Sequence, residues 1–586
     1  MPEQKPDKAR LMKLARFDRK FFDSIEKFTI IGNGGLGGKA SGLLSVRDLI
    51  KDNISEDDFP GITVDIPTLT VITTDLFDKF MERNNLLEIV MANKKRDDQI
   101  ALAFQQADLP VEIVGDLRAL VSKVKQPLAI RSSSMLEDAM FEPFAGVYAT
   151  KMIPNNQFSV DERFRALVEA IKFVYASTFF RGARNYLRAT DRKWTDEKMA
   201  VIIQEVIGNR FGERFYPQLS GVARSYNFYP TGHASPEDGV INLALGLGKT
   251  IVDGGVSWNF SPSYPRSDPP YGNIGELLKN SQTRFWAVNL GKTPDHDPIK
   301  ETEYLTTASI SNAESDGTLR HIASTYDPRA DRIYTGTGSK GPRVLNFAPI
   351  LRADAMPLND LLKRLLKISE DAYESAVEIE FAMTLDPEKC TPARFGFLQV
   401  RPMFVSDAQV AVTEDELTGD RVVISSDRVL GNGVRNDIKD IIFVKRNTFD
   451  AAKTREVGRE LMALNQSLSD AGKPYLLIVF GRLGTSDPWL GIPVEWSDVS
   501  GAKVIVETSI DKMNVDLSQG SHFFHNVTSL RIFYFSAGRS DKYPMKWEWL
   551  ESLTSAADFE YVRHVSLDNP LLVKVDGKSG RGVVIS

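Results

Sequence analysis

The chain has 586 residues, a formal net charge of −6, one cysteine (Cys390), and ordinary hydrophobic and charged fractions of 42% and 26%. These values suit roughly two to four soluble globular domains. They exclude a nucleic-acid binder held by bulk positive charge, and an internal disulfide framework or thiolate metal cluster, so a cytoplasmic setting is expected. No run of about eighteen apolar residues occurs, and no ordinary membrane-spanning helix is expected.

The opening segment MPEQKPDKARLMKLARFDRKFF is basic but lacks the apolar core and cleavage site of a secretory signal. It is read as an N-terminal extension over 1–27, a solvated helix packing one face on the body. Residues 29–50 give a strand, the Gly-rich loop GNGGLGGKASG and a helix, and 66–94 give a strand and a helix. A helical stretch over 98–125 precedes LAIRSSSMLEDA, an apolar strand ending on Arg131 with Ser132, Ser133 and Ser134 behind it. Apolar positions Phe164, Leu167, Ala170, Ile171 and Val174 predict a helix within 160–192, and MAVIIQEVI a buried strand over 199–207.

Two strand-then-loop units follow in 220–260. Residues 260–345 are rich in Pro, Gly, Ser, Asp and Thr and predict long loops with short strands. A helix over 357–377 leads into VEIEFAMT and RFGFLQVRPM, read as a hairpin. The polar run 405–420 is the expected linker. Beyond it, 421–586 alternates strands with one helix over about 449–472, a separate smaller α/β domain.

Several stretches carry chemistry. Glycine backbone beside Lys39 and a helix start presents N–H donors suited to phosphate oxygens, although GKAS is not a Walker loop and a tight structural turn fits as well. Arg131 can grip phosphate bidentately, or it can form an ion pair with Glu137 and Asp138 at a strand end. Glu380 and Gln399 fall on neighbouring strands, with Arg401 on the same face as Gln399. A carboxylate and an amide oxygen side by side suit Mg²⁺, with a phosphate held by Arg401; paired charges in a plain hairpin are the alternative.

These pieces occur in one order. From about 28 to 403 the chain resembles the N-terminal ATP-grasp domain of the phosphoenolpyruvate synthase and pyruvate phosphate dikinase family. The resemblance rests on GGLGGKASGL, LAIRSSSMLEDA, FAGVYAT, MAVIIQEVI with SGVARSYNF, LGLGKTIVDG, and IEFA…FLQVRP. It implies an α/β (α+β) ATP-grasp domain over 28–404. In it Lys39 and Arg131 hold ATP phosphates, Glu380 and Gln399 carry Mg²⁺, and Arg401 reaches the transferred phosphoryl group. Ser132 and its neighbours become a phosphate lid. Gln204, Glu205 and Val206 face the adenine, whose edge is expected to bond mainly to backbone, and Gly246 and Gly248 belong to the Gly-Leu-Gly segment.

Two positions depart from the family pattern: Val147 stands where a polar Gln is usual, and Lys249 where Glu is usual. The reversed charge at Lys249 either alters the metal shell or supplies another phosphate cation. The segment after the linker is too short for a (β/α)₈ barrel of about 250 residues, so this chain alone is not expected to make phosphoenolpyruvate. SQGSHFFHN is similar to the family's phosphoryl-acceptor segment, which makes His522 a candidate phosphohistidine; a backbone-bonded turn histidine is the alternative. GRLGTSDPWLGIPVEW, 481–496, is either a specificity loop or a packed loop with Trp489 buried. The expectation is an ATP- and Mg²⁺-dependent phosphotransferase acting on a histidine or another acceptor. The alternatives are a non-catalytic ATP-binding regulator and a subunit of a barrel-containing partner; a protein partner or a second copy of the chain is left open.

Overall fold

The computed structural model describes residues 14–19, 27–55, 57–91, 96–135, 137, 146–188, 197–267, 273–385, 392–405, 410–485, 489–494, 496–510, 527, 531–537, 543 and 545–586. Cys390, Phe144, Ala145, Asp138, His522 and His525 lie outside the described residues.

Two six-stranded sheets carry the first two-thirds of the chain. The first runs in the order Ala15–Arg16, Phe28–Ile31, Leu69–Ile72, Met199–Glu205, Leu128–Ser134, Thr150–Ile153. The second runs Trp258–Phe260, Val240–Ala244, Leu219–Arg224, Val377–Thr384, Ala393–Pro402, Ile62–Asp65. Residues 15–16 pair in parallel with 29–30, so the described part of the N-terminal extension is strand where a helix was expected.

The first sheet buries Ile72, Ile130, Val201 and Ile203 against helices Thr74–Arg83, Asp97–Gln106, Val111–Lys123 and Val160–Ser177. In the last of these Leu167, Ala170, Ile171 and Val174 are fully buried, as the helical spacing requires, and the Ser159 hydroxyl accepts from Asp161 N–H at its start. The helical stretch 98–125 is divided at Pro110, which precedes the second helix and supplies no N–H to continue the first. The second sheet packs on Leu361, Leu362 and Leu365 of helix Leu358–Tyr373. The loop-rich interval 260–345 holds short strands, among them Arg284–Asn289 and Leu305–Ser309 in a small four-stranded sheet.

Residues 422–585 build a nine-stranded mixed sheet. Its parallel part is Gly433–Val444, Tyr475–Phe480, Ala502–Thr508 and Phe533–Ala537, with helix Thr454–Asp470 crossing between the first two strands. Val422–Ser426 pairs with Arg581–Ile585 at one end of the sheet, while Val429–Leu430 pairs with Phe533–Ala537 at the other. One extended segment thus joins both ends, and the sheet curls round on itself. Val412 and Leu417, in the expected linker, are buried with Val422, Tyr543 and Val583, so this segment packs on the C-terminal sheet. No helix among the described residues is long and apolar enough to cross a membrane.

Candidate nucleotide site

The closing hairpin is antiparallel, and its register sets Glu380 directly opposite Gln399 and Glu378 opposite Arg401. Alternation along each strand places all four side chains on one face. Glu378 is buried and takes two guanidinium groups: Arg401 Nε lies 2.9 Å from Oε1, and Arg224 Nε 2.6 Å from Oε2. Arg401 also donates from Nη2 to Glu380 Oε1 at 2.9 Å. Neither carboxylate stands alone, which is what keeps such charges tolerable at low exposure.

Arg131 reaches this hairpin from the other sheet. The strand runs Leu128–Ser134, so Arg131 sits at its middle and not at its end, and the serines are strand residues, not a lid. Its Nη1 donates to the Leu398 carbonyl at 2.8 Å and to Gln204 Oε1 at 3.2 Å, and its Nη2 to Gln399 Oε1 at 2.7 Å, with Glu380 Oε2 3.7 Å away. The strand-end ion pair with Glu137 is not formed. Glu137 instead accepts from Lys39 Nζ at 2.7 Å and from Ser132 Oγ at 2.9 Å, while Lys39 also touches Ser132 Oγ at 3.1 Å. Ser133 Oγ donates to Leu36 O at 2.8 Å and accepts from Ala40 N–H at 3.1 Å, stitching the helix that carries Lys39 to the strand that carries Arg131.

The first half of the Gly-rich loop is a structural turn. Asn33 and Gly34 N–H donate to the Asp75 carboxylate and Gly35 N–H to Thr74 Oγ1, so these donors are committed within the protein. Hydrogen bonds from Thr73, Asn33 and Gly34 overcome burial and hold the Asp75 carboxyl below its ordinary range. Gly37 is glycine for a steric reason: at φ 76° a Cβ would stand 1.8 Å from Ser133 O. What the loop delivers is Lys39, set against Ser132 and Glu137 beside the strand of Arg131.

Val206 joins Ala129, Phe215, Leu247, Val288 and Leu290 in an apolar cluster flanked by half-buried Met152, Trp286 and Leu305. The strand expected to face the base and the Gly-Leu-Gly segment therefore meet. Glu205 and Val206 N–H, however, already donate to Thr68 and Pro127 carbonyls, which removes two of the backbone donors expected for an adenine edge. Gln204 points towards Arg131, and its Nε2 is buried with no partner among the described residues. Gly246 adopts φ 84° and accepts Ser220 Oγ at 2.6 Å; a Cβ there would lie 2.6 Å from Trp286 O. Gly248 has open space, its nearest neighbour 3.9 Å away.

Lys249 follows, its Nζ 3.0 Å from Asp253. Burial lowers its pKa, but Asp253 and Glu301 outweigh that and raise it. Glu301 is exposed, and desolvation by the protein around it raises its carboxyl pKa against the pull of Lys249 and Lys39. Glu301 thus lies within the field of both lysines, a meeting of residues far apart along the chain that no local spacing foretells. Behind Glu137, the buried Glu197 accepts from Tyr148 Oη at 3.2 Å, and burial pushes its carboxyl up to about 7.

The match to the family model described as the pyruvate phosphate dikinase AMP/ATP-binding domain covers residues 34–421. The chain belongs to this family. No curated protein matches it. In this dikinase-family nucleotide-binding domain the charged side chains Arg131, Glu380 and Arg401 gather where the two sheets meet. Glu378, Arg224, Glu301 and Glu197 were not singled out from the sequence. Glu378 alone left a signal, the VEIE alternation that puts it on the face of Glu380.

Glu380 and Gln399 offer two hard oxygens opposite each other, which fits the sparse protein contribution Mg²⁺ takes beside nucleotide phosphates. Among the described residues no group of three or more His, Cys, Asp or Glu could hold a metal without such help. Trp489 is 68% exposed, so the reading of 481–496 as a loop with buried Trp489 is corrected.

Proposed function

We propose that the chain is an ATP-dependent phosphotransferase of the dikinase type, whose nucleotide lies in the cleft between the two six-stranded sheets. The observation that carries this reading is the array Arg131–Gln399–Glu380–Arg401, which joins both sheets at one point. Arg131, Lys39 and Lys249 hold the phosphates, Arg401 stands beside the group to be transferred, and the apolar cluster around Val206 and Leu247 takes the base. Ser132 orients Lys39. Glu380 and Gln399 would hold Mg²⁺, which would supply charge neutralisation on the phosphate oxygens.

Within the array every one of these cations is paired: Lys39 with Glu137, Lys249 with Asp253, Arg131 with Gln399 and Arg401 with Glu378 and Glu380. Phosphate oxygens would exchange for those partners as the nucleotide binds, and at Arg131 the partner replaced, Gln399, lies on the other sheet. Phosphoryl transfer asks little of the protein beyond such positioning and neutralisation.

A ³¹P NMR time course of the full chain with Mg-ATP tests the reading. AMP with orthophosphate and a phosphoramidate signal lost in His522→Ala establishes dikinase chemistry on an internal carrier. ADP points to direct transfer or hydrolysis and retires His522. Unchanged ATP in the presence of saturable binding, over a panel of candidate acceptors, makes the chain a nucleotide sensor instead.

A further inference from the structure

Among the described residues, Arg482 ties the C-terminal sheet to the segment that carries Lys249. Arg482 Nη1 donates to the Gly254 carbonyl at 2.8 Å, 228 residues away. Gly254 ends the turn that closes the short helix Lys249–Val252, with Gly254 N–H on Ile251 O at 3.0 Å and Gly255 N–H on Thr250 O at 2.7 Å. Asp253, next to it, is the residue that holds Lys249. A cation on the carbonyls at a helix C-terminus is favourable on its own, and here it also fixes the turn from which Asp253 projects.

Arg482 is itself rigidly mounted. Its N–H donates to Leu490 O at 2.9 Å, and Gly491 packs so closely that a Cβ there would stand 1.9 Å from Arg482 O. The next residue, Leu483, donates its N–H to buried Glu507 at 2.8 Å, and Tyr534 Oη donates to the other Glu507 oxygen at 2.6 Å. Phe228 and Tyr229, from the loop between strands Leu219–Arg224 and Val240–Ala244, pack against the same C-terminal core. The C-terminal sheet therefore grips the outer edge of the hairpin that leads into the Gly-Leu-Gly segment, and Arg482 extends that grip to the far side of Lys249.

We propose that Arg482 is a positioning residue for the nucleotide site: by holding the Gly254 turn it sets Asp253, and through Asp253 the reach of Lys249 towards the terminal phosphates. The inference rests on reading the cleft as the nucleotide site. It gives the C-terminal sheet a role in phosphate recognition, with no demand on the base.

Calorimetric titration of the full chain with Mg-ATP and, separately, with adenosine tests it. Arg482→Gln is expected to weaken Mg-ATP about fivefold, the net scale of one ordinary hydrogen bond, and to leave adenosine affinity unchanged. Arg482→Lys recovers part of the loss, and adding Lys249→Met to Arg482→Gln brings no further loss beyond Lys249→Met alone. Equal weakening of both ligands, or unchanged Mg-ATP, overturns the inference. So does the same selective loss in Phe228→Ala, which loosens the docking while leaving Arg482 in place. Should Lys39→Met and Lys249→Met both fail to separate Mg-ATP from adenosine, the cleft reading itself has failed; should they separate them while Arg482→Gln does not, only the role of Arg482 is lost.

Discussion

Arg131 Nη2 lies 2.7 Å from Gln399 Oε1, a hydrogen bond between residues 268 positions apart that joins the two sheets face to face. The same guanidinium takes the Leu398 carbonyl on the facing strand and Gln204 on its own sheet, so one planar fork ties three acceptors drawn from both sheets. Lysine cannot reproduce that fork. Arg131→Lys should cost about 2 kcal/mol of stability, the scale of hydrogen bonds to a charged donor, and should weaken Mg-ATP binding more than tenfold by about the same measure. Chemical denaturation and calorimetry read the two effects separately.

Glu380 and Gln399 divide the metal role from the phosphate role. Removing the charge in Glu380→Gln should abolish most of the gain in ATP affinity that Mg²⁺ confers, a loss of at least about tenfold, while ATP affinity in EDTA stays close to that of the unaltered chain. Titrations with and without Mg²⁺ check this, and equal loss in both conditions would assign Glu380 to holding Arg401 alone.

Gly246 and Gly248 should behave in opposite ways. Gly246 has φ 84° and a carbonyl 2.6 Å from where a Cβ would sit, so Gly246→Ala should destabilise the fold by about 1–3 kcal/mol. Gly248 faces open space, so Gly248→Ala should leave the melting temperature unchanged and reduce nucleotide affinity by crowding the cleft. Thermal melts with and without Mg-ATP distinguish the pair.

Glu197 makes stability depend on pH. Its carboxyl rises from an ordinary 4.5 to about 7 because it is buried, facing Ser134, Tyr148, Glu137 and the Lys198 N–H. The folded chain then holds a proton that the unfolded chain has released, so stability falls as pH rises from about 4.5 to about 7 and levels off above. Glu197→Gln should remove that slope and be the more stable protein above pH 7, by on the order of 3 kcal/mol at most. Urea denaturation across that range measures it.

The sequence by itself determined the local elements and the chemical types at the site. A continuous apolar run marked the strand Met199–Glu205, the 3.6 period the helix Val160–Ser177 and two neighbouring strand-like runs the hairpin, because burial is written in nearest neighbours along the chain. That Gln399 and Arg401 share a face followed from alternation alone, whereas the register of the hairpin sets Glu380 opposite Gln399. The partners of each charge did not follow. Lys39 takes Glu137, Arg131 takes Gln399, and Asp75 occupies the amides of the Gly-rich loop, since a side chain reaches whatever the packing of distant segments brings within about 3 Å. Only the tertiary structure could decide those pairings, and with them Glu301, Glu378 and Arg482, because each depends on how two sheets come together and not on any spacing along one strand.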